Sequence, residues 1–487
     1  MKSLLAVAVV LSLALASAHT QTEPVRIYTR PKPPPRDALD KLNLTLAWSH
    51  RLKTEGPRDG LFSVQLIPDK ANPRMIVQLF SGVMIALDAE NGDLLWRTPI
   101  GTPYYTAQPV GANSRYIFTT RRDELFVVDR DNGKQTLWSV QRDSNLPEYG
   151  FRLDGSPSAG LTADEEMVFI CMDSRVSGYI VPDFRRMMQY RAKEEPESIP
   201  GGSKLKPSPQ VRRLWTNVFP EDRFYQPPLD LGGDSIGLAA PNGTFVTVNR
   251  HDGVEGWRYQ FEKGIVAHAA QHRAIAYIAG EDGYLYAFDT YRRKLAWRFA
   301  GTAPIHRPIH ATDRDIWVSP EGIGLCRVDR ASGVARWRNR DAARFLAMNP
   351  RFVYATDRFG HLLVLDYDRG TALAQYDTRD FVVLVPNELT DRLYLAAHDG
   401  TLVCLHHREY PTPVRIKTLE PEDKGKPPPK KGKEKEKDEK LGVGSLRMED
   451  RGSRIEGRES RVDVWVFDLR SSILDPRFSI LGRRKRL

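Results

Sequence analysis

One short pattern of apolar and polar positions recurs along this chain. An apolar run leads to an Asp or its equivalent, then to a tight turn, and then to a Trp on the returning segment. The clearest copy is residues 86–96, and the others are residues 127–138, 247–257, 287–297 and 327–337, a weaker copy at 364–374 and a divided copy that ends at Trp215. Tryptophans of consecutive copies are 40 or 42 residues apart, except for the step of 77 residues from Trp138 to Trp215. A fixed period of this length indicates one repeated supersecondary unit.

The composition of the unit predicts short β-strands. Residues 126–128, 285–288 and 362–365 are β-branched, aromatic or aliphatic runs of the kind that strands prefer. Pairs such as Asn91-Gly92 favour a hairpin, because a tight turn there needs a positive φ. A further strand pattern precedes each Trp by about 20 residues, as at 116–118. With one more strand leading in, each unit has about four strands, which is typical of a propeller blade.

The number of blades follows from the two ends of the repeat. The last hairpin, residues 393–405, has no Trp of its own, whereas the alternating apolar stretch that ends at Trp48 has no strands before it. The two halves complement each other. The sequence therefore predicts an all-β, eight-bladed β-propeller of four-stranded antiparallel blades, closed by the N-terminal strand around Trp48, which completes the blade of residues 385–405. Closure removes the unpaired strand edges that an open ring would leave.

The regions around the propeller differ in composition. We assign residues 1–18 to a signal peptide, 19–40 to a Pro-rich exposed arm, 41–409 to the propeller with an insertion at 183–210, and 410–487 to a largely disordered Lys/Arg-rich tail with a strand-like stretch at 462–467. The insertion is charged and rich in Pro, Gly and Ser, and it explains the long step from Trp138 to Trp215 without a ninth blade.

The N-terminus predicts export. Lys2 precedes an apolar run at 4–16, and Ala16-Ser17-Ala18 is a small-x-small cleavage site, so we expect cleavage after Ala18 and a periplasmic or secreted protein. The apolar run is too short to span a bilayer comfortably, and no later stretch is long and apolar enough to do so. No Cys follows the run, so a lipid anchor is not indicated. The three cysteines, Cys171, Cys326 and Cys404, give no disulfide framework and are interpreted as buried thiols.

The net charge of +10 is concentrated in the tail, where residues 441–487 hold eleven basic and seven acidic side chains. Such a tail in an exported chain can contact anionic lipid headgroups or anionic envelope polymers. A solvated tail without a partner is the simpler interpretation. Nucleic acid is not an expected partner, because export removes the chain from it.

The repeat resembles the tryptophan-docking repeat of the quinoprotein propeller superfamily, which includes pyrroloquinoline-quinone-dependent dehydrogenases and the BamB-like proteins of the outer-membrane assembly machinery. The resemblance covers about residues 41–409. We interpret the repeat residues as structural, with the Asp binding turn amides, the Gly supplying the turn and the indole packing between blades: Trp48, Trp96, Trp138, Trp215, Trp257, Trp297, Trp337, Asp88, Gly92, Asp129, Gly133, Asp289, Asp329 and Gly333. The chain departs from the pattern at Asn249, at Arg292-Arg293 and at Ala374.

Candidate binding residues come from aligning the blades. Gln226, His268 and His306 fall at the start of innermost strands, which line the central channel, and Arg307 follows His306. These four are possible ligand contacts at the funnel. A metal held by His268 and His306 would need a carboxylate or a third His, which the sequence does not show. Channel lining with ordered water is the structural alternative.

Three functions remain open from the sequence. The first is an exported non-catalytic propeller scaffold, similar to the BamB-like proteins, that binds a protein or peptide partner in the cell envelope; it expects no catalytic residue, metal or cofactor. The second is a quinoprotein oxidoreductase that uses pyrroloquinoline quinone and calcium, but its Glu, Asn and Asp calcium set and its vicinal Cys pair cannot be placed. The third is a sensor that binds a ligand or polysaccharide at the central funnel.

Overall fold

The computed structural model describes residues 31–69, 72–105, 107–135, 139–140, 147–148, 151–180 and 212–418. The chain divides into a unit of residues 1–426 and a unit of residues 427–487, and every described residue belongs to the first. The predicted signal peptide, the insertion at 183–210, Trp138 and the strand-like stretch at 462–467 lie outside the described residues. No described helix is long and apolar enough to cross a membrane.

The described elements begin with helix α1 (Arg36–Lys41) and strand β1 (Leu44–Arg51). Seven four-stranded antiparallel sheets follow in chain order, each with its first strand innermost. Blade 1 contains β2 (Leu61–Ile67), β3 (Arg74–Leu79), β4 (Val83–Asp88) and β5 (Leu94–Pro99). Blade 2 contains β6 (Gly111–Ala112), β7 (Tyr116–Arg121), β8 (Glu124–Asp129) and β11 (Phe151–Arg152), with a hairpin of β9 (Ser139–Val140) and β10 (Pro147–Glu148) inserted before β11.

The next three blades have the same order. Blade 3 contains β12 (Thr162–Ala163), β13 (Met167–Met172), β14 (Arg175–Ile180) and β15 (Arg212–Val218). Blade 4 contains β16 (Leu229–Asp230), β17 (Ser235–Ala239), β18 (Thr244–Asn249) and β19 (Glu255–Gln260). Blade 5 contains β20 (Ala270–His272), β21 (Ile275–Ala279), β22 (Tyr284–Asp289) and β23 (Lys294–Ala300).

The last blades complete the ring. Blade 6 contains β24 (His310–Ala311), β25 (Asp315–Val318), β26 (Leu325–Asp329) and β27 (Ala335–Asn339). Blade 7 contains β28 (Arg344–Met348), β29 (Phe352–Thr356), β30 (His361–Asp366) and β31 (Ala372–Asp377). Blade 8 contains β32 (Leu393–Ala396), β33 (Thr401–His407) and the N-terminal β1, while a single bridge from Val383 to Ala396 supplies its innermost position.

The N-terminal strand closes the ring. Strand β1 pairs antiparallel with β33, so that Leu44 lies opposite His407 and Arg51 lies opposite Thr401. The predicted eight-bladed propeller, closed by the strand around Trp48, is therefore confirmed. The core lies between blades: the buried residues form eight hydrophobic clusters in the described part of the chain, one at each junction between neighbouring blades.

The repeated tryptophans join each blade to the next. Trp96 donates its indole N–H to the backbone carbonyl of Arg130 at 2.8 Å, and its ring lies against Gly133 in the turn of blade 2. Asp129 accepts backbone N–H groups within that same turn. The same indole hydrogen bond to the following blade is made by Trp48, Trp215, Trp297 and Trp337. Each such contact requires a turn residue without a side chain.

Trp257 is an exception with a local cause. The receiving turn in blade 5 has Arg293 at the glycine position, with a φ of 53°. A Cβ there occupies the space that an indole fills in the other blades, where a Cβ on the glycine would lie 2.3–2.7 Å from the ring. In the described structure the Trp257 indole makes no hydrogen bond to that turn and packs instead against Phe245 and Phe288, at ring-centroid distances of 5.5 and 5.8 Å.

Ala374 replaces the Trp of blade 7 because blade 8 is assembled from both ends of the chain. Its third strand is β33 and its outermost strand is β1, so no hairpin turn joins them to receive an indole. Helix α1 packs at this junction: Leu39 and Leu42 are buried in the cluster that also contacts Ala374. The sequence predicts an exposed arm over residues 19–40, but residues 36–40 belong to this helix. Leu39 and Leu42 are three residues apart and therefore bury one side of a helical turn, but two apolar residues alone are too few to predict a helix.

The described cysteines are buried and unpaired. Cys171, Cys326 and Cys404 lie in central strands of blades 3, 6 and 8. Burial raises the pKa of all three thiols, that of Cys326 to about 11. The thiols are therefore protonated and unreactive at neutral pH.

Candidate functional site

Antiparallel blades give the ring two different faces. The links from the outermost strand of one blade to the innermost strand of the next emerge on the same side as the turns between second and third strands. We call this side the linker face. The two other kinds of turn, including those that receive the indoles, lie on the opposite side, which we call the turn face.

The end segment, residues 411–418, covers part of the turn face. Its Ile416 donates a backbone hydrogen bond to Leu389 of blade 8 and accepts one from Asp313 of blade 6, both at 3.0 Å. The Ile416 side chain is buried in the cluster that contains Trp317 and Phe345. The segment therefore runs across the inner ends of blades 8, 7 and 6.

A charged cluster fixes the end segment. Lys417 Nζ lies 2.8 Å from Glu388 Oε2, and His310 Nδ1 lies 2.8 Å from Glu388 Oε1. Burial alone would raise the pKa of Glu388, but the charge of Lys417 and the hydrogen bond from His310 outweigh it and lower the pKa to about 2. The carboxylate is therefore ionised and already engaged by two partners.

A charged cavity of about 580 Å³ opens beside the turn face between blades 6 and 7. Its main groups already satisfy one another. Arg327 is paired with Asp315 at 2.8 Å and stacks on the Tyr367 ring at 3.6 Å, while the Tyr367 hydroxyl donates to Asp315 at 2.6 Å. Because these charges are paired within the protein, we interpret the side chains of this cavity as contacts that join blades 6 and 7 rather than as a binding site.

The linker face has a different kind of cavity. A pocket of about 370 Å³, which we call the arginine pocket, opens between the inner parts of blades 6, 7 and 8. Trp317 and Phe345 form a stacked pair in its wall, with ring centroids 5.0 Å apart and planes inclined by 15°. Leu384 contributes an aliphatic wall from blade 8, and Arg307 and Arg344 contribute the charge.

The positive charge of the arginine pocket is not neutralised. Arg307 donates to the backbone carbonyl of Ala343 at 2.5 Å, and Arg344 has no hydrogen bond or ion pair of its guanidinium within the described residues. Burial, together with the neighbouring charge of Arg344, lowers the pKa of Arg307. The Glu321 carboxylate opposes this shift in part, but neither guanidinium forms an ion pair within the described residues, and two positive charges beside an apolar pocket favour an anionic ligand group.

A groove continues from the pocket across the linker face. This interblade groove, of about 830 Å³, runs between blades 6 and 7 and shares His306, Arg307 and Ala343 with the arginine pocket. Phe359 and Leu373 lie along it as exposed apolar side chains, and Arg340 adds a further positive charge. The pocket and the groove together form one elongated surface.

Exposed apolar side chains also lie on this face. They are held by links or by turns between second and third strands, so the topology places them all on the linker face: Tyr104, Tyr105, Tyr225, Val266, Phe359 and Val382. We call this set the apolar ring. The turn face also exposes apolar side chains, namely Leu94, Val254, Tyr291 and Val334, but the six on the linker face lie on the same side as the arginine pocket and the interblade groove, and exposed apolar groups are typical of interaction surfaces.

The structure separates the four residues predicted for the funnel. Gln226 is buried and braces blades 4 and 5, accepting the backbone N–H of Ala269 at 3.1 Å. His268 is solvent-accessible beside the channel, where surrounding protein lowers its pKa by desolvation. His306 lies 3.7 Å from carboxylate oxygens of both Glu281 and Glu321, and no contact joins it to His268 in the described structure. Arg307 reaches the arginine pocket.

The calcium of the quinoprotein alternative needs six to eight oxygen ligands. Among the described residues no group of three or more His, Cys, Asp or Glu side chains is arranged to hold a metal ion. Glu388, which contacts the pocket residue His310, is already bound by Lys417. The side chains of the described residues do not form a calcium site.

Sequence reasoning missed most of the arginine pocket. Trp317 and Phe345 have the composition of ordinary strand residues, and Leu384 lies in a link without a motif. The pair Tyr104-Tyr105, in a Gly/Pro-containing link, was a usable signal for exposed aromatic groups. Arg344, the first residue of β28 after a short link, gave none.

These features define a class of protein: a closed eight-bladed propeller with a tryptophan-docked repeat and a linker face that carries exposed apolar side chains and two arginines outside ion pairs in the described part of the chain. The family model described as outer membrane protein assembly factor BamB matches residues 37–183 and 241–380. The match covers more than half of the chain, and the protein belongs to that family. A comparison with curated protein sequences gives no significant match.

Solved structures share the fold at low sequence identity. BamB from Moraxella catarrhalis is 15% identical, with a TM-score of 0.54, over 75% of this chain and 98% of that one. The computationally designed Ika8 protein is 13% identical, with a TM-score of 0.50, over 72% of this chain and 98% of that one. At these identities the likeness extends to the fold alone.

Proposed function

We propose that this protein is an exported, non-catalytic propeller scaffold that binds a protein or peptide partner in the cell envelope through its linker face. The observation that carries the proposal is the apolar ring, which exposes aromatic and aliphatic side chains on the linker face, where the arginine pocket and the interblade groove also open. Family membership supports a scaffold of the envelope, and the predicted signal peptide supports export to the periplasm or beyond. The end segment occupies the inner ends of blades 6, 7 and 8 on the opposite face and leaves the linker face open.

The physical argument is the cost of exposed apolar surface. Each residue of the apolar ring exposes a large side chain to water. Covering such apolar surface stabilises a complex by about 25 cal/mol per Å². The surrounding groups are charged, as at the polar rim of a protein interface: Arg122 stacks on Tyr105, with 5.2 Å from its guanidinium carbon to the ring centroid. An apolar centre with a charged rim fits a protein surface better than a sugar or a lipid.

Capture followed by reconstitution tests this function. The chain without its predicted signal peptide is immobilised and exposed to a solubilised native envelope fraction, and a captured protein is identified, purified and titrated directly. Replacing Tyr104, Tyr105 and Phe359 by Ser should weaken the purified complex at least tenfold. Replacing Leu94 and Val334 by Ser, which are also exposed but lie away from the linker face, should leave it unchanged. Equal affinity of both variants would refute the linker face as the binding surface.

The other predicted functions give different results in the same preparation. The quinoprotein alternative predicts a bound chromophore and dye-linked alcohol or sugar oxidation after addition of pyrroloquinoline quinone and Ca²⁺. The funnel-sensor alternative predicts stabilisation by a small ligand that is lost in the His268→Ala, His306→Ala double variant. The contribution of the basic tail to an anionic envelope surface is measured by comparing chains with and without residues 419–487 at increasing salt.

A further inference from the structure

We propose that the arginine pocket binds the C-terminal carboxylate of an extended peptide whose last residue is apolar or aromatic, with the preceding residues lying in the interblade groove. The inference rests on the proposed function and deepens it by naming the part of the partner that is recognised. It assigns Arg307 and Arg344 as carboxylate ligands and the exposed apolar surface of Leu384 and Pro308 as the side-chain site.

The charge of the pocket selects an anion. Arg307 has only a backbone carbonyl as its partner, and the guanidinium of Arg344 has none within the described residues. Each guanidinium keeps free N–H donors, and a planar carboxylate can accept from two of them at once. The Glu388 carboxylate near the pocket does not pair with either arginine, because it is already bound by His310 and Lys417.

The walls of the pocket select an apolar group next to that anion. Leu384 and Pro308 are exposed at the pocket and offer apolar surface to a ligand, while Trp317 and Phe345 complete the lining as buried, stacked rings. A volume of about 370 Å³ is at the small end of ligand sites, which suits one terminal side chain with its carboxylate. It excludes a helix or a hairpin.

The groove selects a longer molecule over a small acid. It begins at Arg307, His306 and Ala343, which it shares with the pocket, and has more than twice the pocket's volume. Exposed apolar groups continue along it as far as Leu373. A free aromatic acid would fill the pocket and leave the groove unused, whereas an extended chain contacts both.

Peptide binding to the full chain without its signal peptide tests the inference. The probe is a fluorescein-labelled decapeptide of Gly, Ser and Ala that ends in Phe, with either a free C-terminal carboxylate or an amide. Fluorescence anisotropy should show the amide binding about 10- to 100-fold more weakly, as expected for loss of a charged hydrogen-bonding partner. N-acetylphenylalanine, as the small acid, should bind more weakly than the free-acid decapeptide.

Variants locate the site. Arg307→Gln and Arg344→Gln should each weaken the free-acid peptide about tenfold and leave the weak amide binding unchanged. Arg336→Gln, an arginine on the outermost strand of blade 6 with a half-exposed side chain, is the matched control and should have no effect. Circular dichroism melting confirms that the variants are folded.

Defined outcomes overturn the inference. These are equal affinity of the acid and amide peptides, insensitivity to both arginine variants, no peptide binding at millimolar concentration, or binding of N-acetylphenylalanine as tightly as the decapeptide. In each case the proposed function would still stand if the captured partner no longer binds the variant with Ser at Tyr104, Tyr105 and Phe359. A partner that binds that variant normally would refute the proposed function instead.

Discussion

Arg392 and Glu90 form a forked ion pair across the junction between the last blade and the first. The Arg392 Nε and Nη2 atoms lie 2.9 and 2.6 Å from Glu90 Oε1, and the Arg392 side chain is fully buried. The two residues are 302 positions apart, so the pair joins the two ends of the propeller at the junction that Trp48 also bridges. Glu90→Gln would leave a buried cation without its main counter-charge. We expect it to lower the free energy of unfolding by about 3 kcal/mol, measured by urea denaturation.

The matched control for this pair is exposed. Glu55 pairs with Arg97, and their side chains are 51% and 28% exposed. Glu55→Gln should therefore cost less than about 1 kcal/mol. Equal losses for the two variants would show that the closing pair contributes no more than a surface salt bridge.

Gly370 should tolerate a side chain less well than Gly322. Both have nearly the same positive φ, 69° and 70°, so an Ala at either site has the same backbone strain of about 1–2 kcal/mol. A Cβ on Gly370 would lie 2.3 Å from the Trp337 indole, whereas a Cβ on Gly322 meets nothing within 4 Å. We expect Gly370→Ala to cost at least about 2 kcal/mol more than Gly322→Ala in thermal or urea unfolding. A difference below about 0.5 kcal/mol, which is roughly the thermal energy RT, would contradict the docking role of the turn.

Trp337 and Trp257 should respond differently to replacement by Phe. Trp337 donates its indole N–H to the Tyr367 carbonyl at 2.8 Å and is buried, so Trp337→Phe leaves that carbonyl with Arg327 as its remaining donor and opens a small cavity. We expect a loss of about 2–3 kcal/mol in the free energy of unfolding. Trp257 has no such bond in the described structure, and Trp257→Phe should cost about 1 kcal/mol or less. If Trp257→Phe proves the more damaging, the hydrogen bond is not what holds the blades together.

His272 should make the protein less stable in mild acid. Its side chain is 3% exposed, and burial, together with the charges of Arg330 and Lys417, lowers its pKa to about 4 in spite of the Asp313 carboxylate 3.0 Å from its Nε2. The unfolded chain takes up this proton near the ordinary pKa of about 6.5, whereas the folded chain takes it up only near 4. Stability therefore falls as the pH drops from about 6.5 to 4, by up to about 3 kcal/mol.

The variant His272→Gln tests this pH dependence. It should flatten the fall in urea-unfolding free energy between pH 6.5 and 4, while His251→Gln, at an exposed histidine, should not. The Glu388 carboxylate acts in a lower window: its folded pKa of about 2 is below the ordinary 4.5, so its contribution is present above 4.5 and is lost as the pH falls towards 2. An unchanged slope in His272→Gln above pH 4.5 would show that other groups govern acid unfolding.

The repeat could be predicted because each blade is encoded locally. A run such as 285–288, a turn and a returning Trp lie within one period, and strand pairing between neighbours in sequence needs no distant information. Closure was also predictable, because a Trp-bearing strand without partners at one end complements a hairpin without a Trp at the other. The same logic did not reveal helix α1, since six residues after a Pro-rich stretch carry little periodicity.

Some departures from the repeat became intelligible only in three dimensions. Arg293 and Ala374 are visible in the sequence as deviations, but their consequences depend on the neighbouring blade. Arg293 displaces an indole that belongs to blade 4, and Ala374 lies where the next blade has no receiving turn. A mismatch between two blades cannot be evaluated within one repeat.

The sequence by itself determined the blade, its number of copies and the strand that closes the ring, because these depend on alternation and turn chemistry within about 40 residues. Only the tertiary structure decided the arginine pocket. Arg307, Arg344 and Leu384 come from three blades and from links without a common motif, and they meet because the innermost parts of all blades converge on one axis. Ring geometry, rather than local pattern, places unneutralised charge beside apolar walls.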